Sequence, residues 1–289
     1  DNIDVLHTIG GDDTNRMAAL LSFYLKNHEY DLTVVGLPKT VDNDVYPISQ
    51  TLGAWTAAEQ GALFFENIVN ENTTSTRQLI IHEVMGRNCG WLTAKTAFEY
   101  RQRMKKRDFI PELLINKKRW DIDAIYIPES DFNFQTEVSR LKDRMNEKDG
   151  VNIFLSEGAG IETIVREMEN SGEKIPRDAF GHVRLDEINS GKWFAKQFSG
   201  SLDAEKTLVQ KSGYFARSAK PNNKDLGLIE KSAGLAAIFA LDQQSGVVGR
   251  DIDNDSKLGL IDFKRIKGGK PFDFQVEWFD NMLNEIGQK

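Results

Sequence analysis

Apolar residues along the chain come in short blocks with two different periods. Residues 5–9 read as a strand that breaks into Gly10, Gly11, Asp12, Asp13 and Thr14, after which Met17, Leu20, Leu21, Tyr24 and Leu25 recur at helical spacing. Residues 32–37 form a continuous apolar run ending at Pro38, which completes a strand, helix, strand unit. Further runs flanked by helical patterns lie at 79–84, 124–127 and 151–155. A parallel sheet covered on both faces requires strands of this kind, so the pattern predicts an α/β fold. Residues 207–217 are expected to add a strand leading to Tyr214 and Arg217, and 225–241 a long alanine-containing helix that is mostly core.

Ligands of open α/β sheets bind beyond the carboxyl ends of the strands, so the residues following each apolar run carry the candidate chemistry. Lys39, Thr40, Asp42, Asn43 and Asp44 follow the second run; Met85, Gly86 and Arg87 follow Val84; Glu157, Gly158 and Gly160 follow Ser156. The opening turn aims backbone N–H groups and a helix N-terminus at one spot, which suits phosphate, and its carboxylates suit a magnesium ion carried by that phosphate. Asp13 would repel part of a long polyphosphate, so the turn is suited to a short one.

Length and composition narrow the class. A chain of 289 residues can bury a substantial core, and the length favours two lobes. With 40% hydrophobic residues, 28% charged and a net charge of -7, it reads as an ordinary globular protein with no nucleic-acid partner. The densest basic run, Arg101, Arg103, Lys105, Lys106 and Arg107, ends a predicted helix without interleaved aromatics and is expected to be a solvated face. Cys89 is the single cysteine, which excludes an intramolecular disulfide and fits a reducing compartment such as the cytoplasm. His7, His28, His82 and His182 show no nucleophile or metal spacing, so Cys89 is read as structural. No apolar stretch is long enough to span a bilayer and no signal segment is seen, so no membrane association is expected.

Taken in order, GGDDT, PKTVDND, MGR, SEGAG and GYFAR resemble the phosphofructokinase family, and Asp13 with Lys39 resembles its pyrophosphate-dependent branch. The resemblance covers nearly the whole chain. It implies two Rossmann-like lobes with largely parallel sheets covered by helices, in an N-terminally incomplete form. The donor-phosphate lobe would comprise residues 1–53 and about 217–265, and the fructose 6-phosphate lobe 54–216 and about 266–289. The implied reaction is reversible phosphoryl transfer from pyrophosphate to the 1-hydroxyl of fructose 6-phosphate, giving fructose 1,6-bisphosphate and phosphate, with Mg2+ as cofactor. A homo-oligomer, dimer or tetramer, is implied as well.

The residues make separate sense of that reaction. Phosphoryl transfer needs positioning, charge neutralisation and a base for the hydroxyl proton. Asp42 is the candidate base, and in an extended segment Asp42 and Asp44 would face the same way while Asn43 points elsewhere. An Asn/Asp run on its own marks only a turn. By the family pattern Asp12 and Asp44 reach the metal and Thr40 offers its hydroxyl to the transferring group, with Gly11, Asp12, Asp13, Thr14 and Lys39 forming the donor set. Nucleotide-dependent relatives typically carry glycine where this chain has Asp13 and Lys39. Here Asp13 would exclude the nucleotide and Lys39 would attract the short pyrophosphate. For the sugar phosphate, the resemblance implies Met85, Gly86 and Arg87 lining the pocket, with Arg87 also serving catalysis, Glu157 accepting from hydroxyls, and Lys211, Tyr214 and Arg217 near the 6-phosphate. Glu129 is read as structural.

Three departures stand out. Gln78 occupies the position where nucleotide-dependent relatives place an arginine that reaches a neighbouring subunit, and the adjacent Arg77 would point to the opposite strand face. Tyr214 stands where those relatives carry histidine. The family's earlier Gly-rich segment has no counterpart upstream of GGDDT, so part of the donor site and one side of the sheet are expected to be missing, and activity of the chain alone is left open. The pair Gly268 and Gly269, between Lys267 and Lys270, reads as a loop. Competing readings are an ATP-dependent phosphofructokinase, a non-catalytic sugar-phosphate-binding subunit or inactive fragment, and a magnesium-dependent phosphatase.

Overall fold

A computed structural model describes residues 3–113, 115–177 and 184–289, so His182 lies outside the described residues. Eight strands follow one another along it: β1 (Val5–Gly10), β2 (Thr33–Pro38), β3 (Gln78–Val84), β4 (Ala124–Tyr126), β5 (Gly150–Ser156), β6 (Lys206–Lys211), β7 (Gly246–Asp251) and β8 (Lys257–Ile261). They form two sheets, ordered β1-β2-β7-β8 and β4-β5-β3-β6. The chain divides into two compact units, one of Asp1–Ala57 with Ala219–Pro271 and one of Ala58–Ser218 with Phe272–Lys289.

In the first unit β1, β2 and β7 run parallel and β8 closes the sheet antiparallel. Every residue of β2 is buried because it is paired on both sides and covered on both faces, whereas the edge strand β1 alternates exposed and half-buried positions. The helix Asp12–Asn27 packs on β2 through Asn15 and Ala18, its buried residues. The apolar repeat that predicts this helix does not mark its buried face: Met17 is 63% exposed, and Leu20, Leu21 and Tyr24 also face outward. Close approach decides the matter, since a Cβ on Gly36 would lie 2.6 Å from Asn15 Oδ1. The helix Asn223–Leu241 is likewise not mostly core. It buries Leu228, Ser232, Ala236 and Ala240, a stripe at i, i+4, i+8 and i+12, and leaves Leu226, Ile238 and Leu241 exposed. Its start is tied down by Asp225, whose carboxylate accepts from the backbone N–H of Gly53 at 3.0 Å and of Thr56 at 2.7 Å.

In the second unit all four strands are parallel, and β3 and β5 are buried along their whole length. The expected strand over 207–217 is shorter than the sequence pattern suggests. It ends at Lys211, and Gly213–Arg217 is a short helix entered through Ser212. The basic run is not a solvated face throughout. Arg101 pairs with Asp121 at 2.9 Å and Glu285 at 2.5 Å, and Arg103 with Glu66 at 2.5 Å. Gln78 is fully buried, while Arg77 donates to the carbonyls of Leu202 and Asp203, each at 2.7 Å. Cys89 is buried. Glu129 accepts from the N–H groups of Gly90 and Phe272, so its contacts are structural ones. Among the described residues no helix is long and apolar enough to cross a membrane.

His82 lies in the middle of β3, fully buried between the rings of Phe65 and Phe154. Its Nε2 is 2.8 Å from Ser212 Oγ, the residue from which the short helix departs. Burial pushes the imidazole down to about 3, so the ring is neutral in the folded protein. Between pH 6.5 and about 3 the unfolded chain binds a proton that the folded chain refuses. This contribution is complete above pH 6.5 and is lost as pH falls through that window, at up to about 1.4 kcal/mol per pH unit. Urea unfolding at several pH values should show this loss in the wild type and a shallower one in His82→Gln; equal slopes would exclude His82 as its source.

Candidate active site

The GGDDT turn is built by its own backbone and by one buried amide. Gly11 has extended φ and ψ and stands at the N-cap of the helix Asp12–Asn27, with Asp12 and Asp13 in the first turn. Carboxylates there oppose the positive end of the helix dipole, so both acids favour the helix whatever else they do. Thr14 folds back over Gly10, where a Cβ would overlap the threonine side chain. Asn15, which sequence reasoning passed over, donates from Nδ2 to the carbonyls of Gly10 at 2.9 Å and Gly11 at 2.7 Å and holds the turn shut. The sequence carried no signal for it, because the apolar repeat of this helix marks a different face from the one that the fold buries. The N–H of Lys39 donates to the Gly10 carbonyl at 2.7 Å, joining the end of β2 to the same turn. Asp12 is half-buried, and the side chains of Asp13 and Lys39 are exposed.

The second segment expected in the donor set is also a turn, which corrects the extended geometry expected for Asp42 and Asp44. Asn43 has φ of +56°, a left-handed conformation that asparagine tolerates better than most residues. Alternation along a strand therefore does not relate the two aspartates. Asn43 does point elsewhere: it is buried, accepts from Thr51 N–H at 2.9 Å and donates to the Ser49 carbonyl at 3.2 Å. Thr51 Oγ1 donates to the Thr40 carbonyl at 2.8 Å, so one lock fixes both ends of the turn. Thr40 Oγ1 accepts from Asp42 N–H at 3.2 Å and lies 3.5 Å from Asp44 Oδ1. Burial raises the Asp44 carboxyl above its usual range, and the charge of Asp12 adds to the rise; Lys270 and the Thr40 hydroxyl oppose it. Among the described residues no group of three or more His, Cys, Asp or Glu is gathered for a metal ion.

The residues expected to meet the sugar phosphate converge within the second unit. Val84 of β3 pairs with Ser156 of β5, and Glu83 of β3 with Lys211 of β6, so three neighbouring parallel strands end level. Met85, Gly86 and Arg87 leave β3, Glu157 leaves β5, and Lys211 ends β6 with Tyr214 and Arg217 on the helix beyond. Their backbones touch. A Cβ on Gly158 would overlap the Arg87 carbonyl oxygen, and Gly86, at φ of +127°, leaves no room for one against the Cys89 carbonyl. Ser156 Oγ donates to the Gly86 carbonyl at 2.5 Å, and Glu157 N–H to the Val84 carbonyl at 2.9 Å. A Cβ on Gly213 would come 3.1 Å from Met85 Cγ, which brings the short helix against MGR.

Charge is arranged on this platform with the cations outward. Arg87 is exposed and its Nε lies 3.9 Å from Glu157 Oε1. Burial raises the Glu157 carboxyl, opposed by its bond from Gly86 N–H and by the charge of Arg87. Lys211 Nζ is 2.7 Å from Glu83 Oε1, and Glu83, buried, also accepts from Gly191 N–H at 3.0 Å. Glu83 was missed in the sequence, although a lone carboxylate inside an apolar run is a visible signal. Tyr214 is 89% exposed and is not a core aromatic; Arg217 is exposed as well.

Largely parallel sheets of this order, with carboxylates at a glycine turn and cations at level strand ends, describe a phosphoryl-group enzyme of α/β class. The family model for phosphofructokinase matches residues 1–241, and the chain belongs to the phosphofructokinase family. It is 56% identical over 288 residues to the pyrophosphate–fructose 6-phosphate 1-phosphotransferase of Methylomonas methanica, covering 100% of this chain and 70% of that one. The protein of the same name from Mastigamoeba balamuthi is 54% identical over 288 residues, with 100% and 70% covered. Among solved structures, a pyrophosphate-dependent phosphofructokinase from Marinobacter aquaeolei has a similar fold, with TM-score 0.67 at 19% identity over 99% of this chain and 67% of that one.

Asn43→Ala would remove the lock of the aspartate turn and leave a side chain that disfavours its positive φ. Urea unfolding is expected to show a loss of about 2–4 kcal/mol, of which Asn43→Gly, which restores the backbone freedom alone, recovers part. Equal losses in the two variants would remove the backbone from the explanation.

Proposed function

We propose that the chain transfers a phosphoryl group reversibly from pyrophosphate to the 1-hydroxyl of fructose 6-phosphate, giving fructose 1,6-bisphosphate and phosphate. The observation that carries the reading is the donor set of the first unit: Asp12 against the loop that bonds to the backbone of Asp44, the turn of Thr40, Asp42 and Asp44 joined by the Thr40 hydroxyl, and Asp13 and Lys39 as exposed charges. The first unit serves as the donor lobe and the second as the sugar-phosphate lobe. The likeness to relatives named for this reaction across all of the chain supports it.

Asp42 takes the proton of the 1-hydroxyl as that oxygen bonds to the nearer phosphorus of pyrophosphate. The bond from that phosphorus to the bridging oxygen breaks, and inorganic phosphate leaves with the electron pair. Asp12 and Asp44 would hold magnesium, an ion that keeps several waters and needs one or two carboxylates beside the phosphates, so a pair of acids fits it. When bound, magnesium supplies charge neutralisation at the transferring group. Lys39 places a cation by a short donor, and Asp13 repels the phosphate that a nucleotide would add. Arg87, Lys211 and Arg217 are cations for the 6-phosphate, Arg87 also helping to neutralise charge during transfer; Glu157 accepts from sugar hydroxyls, Met85 and Gly86 shape the pocket, and Tyr214 offers a neutral hydroxyl. A homo-oligomer, dimer or tetramer, in the cytoplasm completes the proposal.

Incubation with fructose 6-phosphate and magnesium should yield fructose 1,6-bisphosphate with pyrophosphate and none with ATP. Product with ATP alone would overturn the donor assignment, and sugar-phosphate binding without product from either donor would favour a binding subunit. Asp42→Ser is expected to lower kcat by about 10²–10⁴ with fructose 6-phosphate binding retained in calorimetry. Lys39→Gly should abolish turnover with pyrophosphate; an unchanged rate would remove its role.

A further inference from the structure

Loop 267–270 reads as a plain connection in the sequence, yet it lies against the Asp12 carboxylate and is bonded to the backbone of Asp44. Glycine at 268 is demanded by a neighbour: a Cβ there would overlap Asp12 Oδ2, with Asp12 Cβ 2.9 Å and Cγ 3.0 Å away. The Asp12 side chain therefore lies flat against the loop backbone. On its other side the loop is bonded to the turn that carries Asp44. The N–H of Tyr46 donates to the Lys267 carbonyl at 2.7 Å, and the N–H of Lys267 returns a bond to the Tyr46 carbonyl at 3.0 Å. Lys270 N–H donates to the Asp44 carbonyl at 2.8 Å, and Lys270 Nζ to the Ile48 carbonyl at 2.5 Å. All of these residues belong to the first unit.

We infer that loop 267–270 is a clamp that sets the spacing of Asp12 and Asp44, with Gly268 as a positioning residue for the magnesium–pyrophosphate site. The inference rests on the proposed donor reading. The loop spans the gap that no local sequence spacing could set, because Asp12 starts a helix and Asp44 ends a turn after β2. Its bonds to 44, 46 and 48 hold it at a fixed height over that turn, and the bare Gly268 backbone is the surface on which Asp12 rests. A methyl group at 268 would push the Asp12 carboxylate off the loop that is bonded to the Asp44 turn. The residues proposed for the sugar phosphate belong to the second unit.

The test compares Gly268→Ala with Gly259→Ala, a control position where a Cβ would meet nothing within 4 Å. Thermal shift by magnesium pyrophosphate reads donor binding without turnover, and steady-state kinetics separate the two substrates. Gly268→Ala should lose most of the pyrophosphate-induced shift and lower kcat/KM for pyrophosphate about 100-fold, the cost of misplacing a group by around 1 Å. Its KM for fructose 6-phosphate should stay at the wild-type value, and Gly259→Ala should match the wild type in every readout. Wild-type donor binding by Gly268→Ala, or an equal rise in both KM values, would overturn the clamp while leaving the donor reading standing. If the wild type itself shows no pyrophosphate shift, the donor reading falls and the clamp with it. Should Gly268→Ala melt early, Asp12→Gly in the same chain is expected to restore the melting temperature of Asp12→Gly alone, because the clash is gone; no restoration would place the defect elsewhere and overturn the inference.

Discussion

The close approach of backbones at the carboxyl end of β3 is the constraint on which the second unit depends. β3 is bonded in parallel to β5 and β6, so the chain leaves all three strands at one level. There the Arg87 carbonyl sits where a Cβ on Gly158 would be, and the Gly86 carbonyl receives the Ser156 hydroxyl. With this contact made by main chain, the Arg87 side chain is left exposed while the half-buried Glu157 carboxylate accepts from the Gly86 N–H. Any residue larger than glycine at 158 would separate the two segments and with them the cation from the carboxylate.

Buried polar residues support the platform from below. Glu83 takes the Lys211 ammonium on one oxygen and the Gly191 N–H on the other, which satisfies a carboxylate that would otherwise be costly inside a sheet. His82, one residue earlier and on the opposite face of β3, reaches Ser212 and so fixes where the short helix with Tyr214 and Arg217 begins. Two adjacent strand residues thus direct the same segment from both faces of the sheet. The first unit works differently, through amides: Asn15 closes the glycine turn and Asn43 the aspartate turn, each by bonds to neighbouring backbone.

Much of this was legible in the residues. The apolar runs at 32–37, 79–84 and 151–155 correspond to β2, β3 and β5, because a strand buried on both faces has no polar alternation to disguise it. The residues named after those runs all stand at carboxyl ends, as parallel topology requires. What misled was periodicity read as burial. Met17, Leu20, Leu21 and Tyr24 repeat at helical spacing yet face outward, because contact with β2 selects the small face of the helix around Asn15, Ala18 and Gly36. The segment 207–217 breaks after Lys211 because Ser212, drawn to His82, starts a helix that β-propensity alone would not show.

The sequence by itself determined the α/β class, the family and the residue types available for phosphoryl transfer, since these follow from local patterns and from ordered motifs that need no geometry. Tertiary structure decided how those residues are held. The left-handed Asn43, the Glu83–Lys211 pair and the Gly268 loop against Asp12 each depend on contacts between segments far apart in the chain. A one-dimensional pattern records which faces are apolar; it does not record which distant backbone arrives against a given side chain, and in this protein such arrivals place Asp12, Glu83 and Glu157.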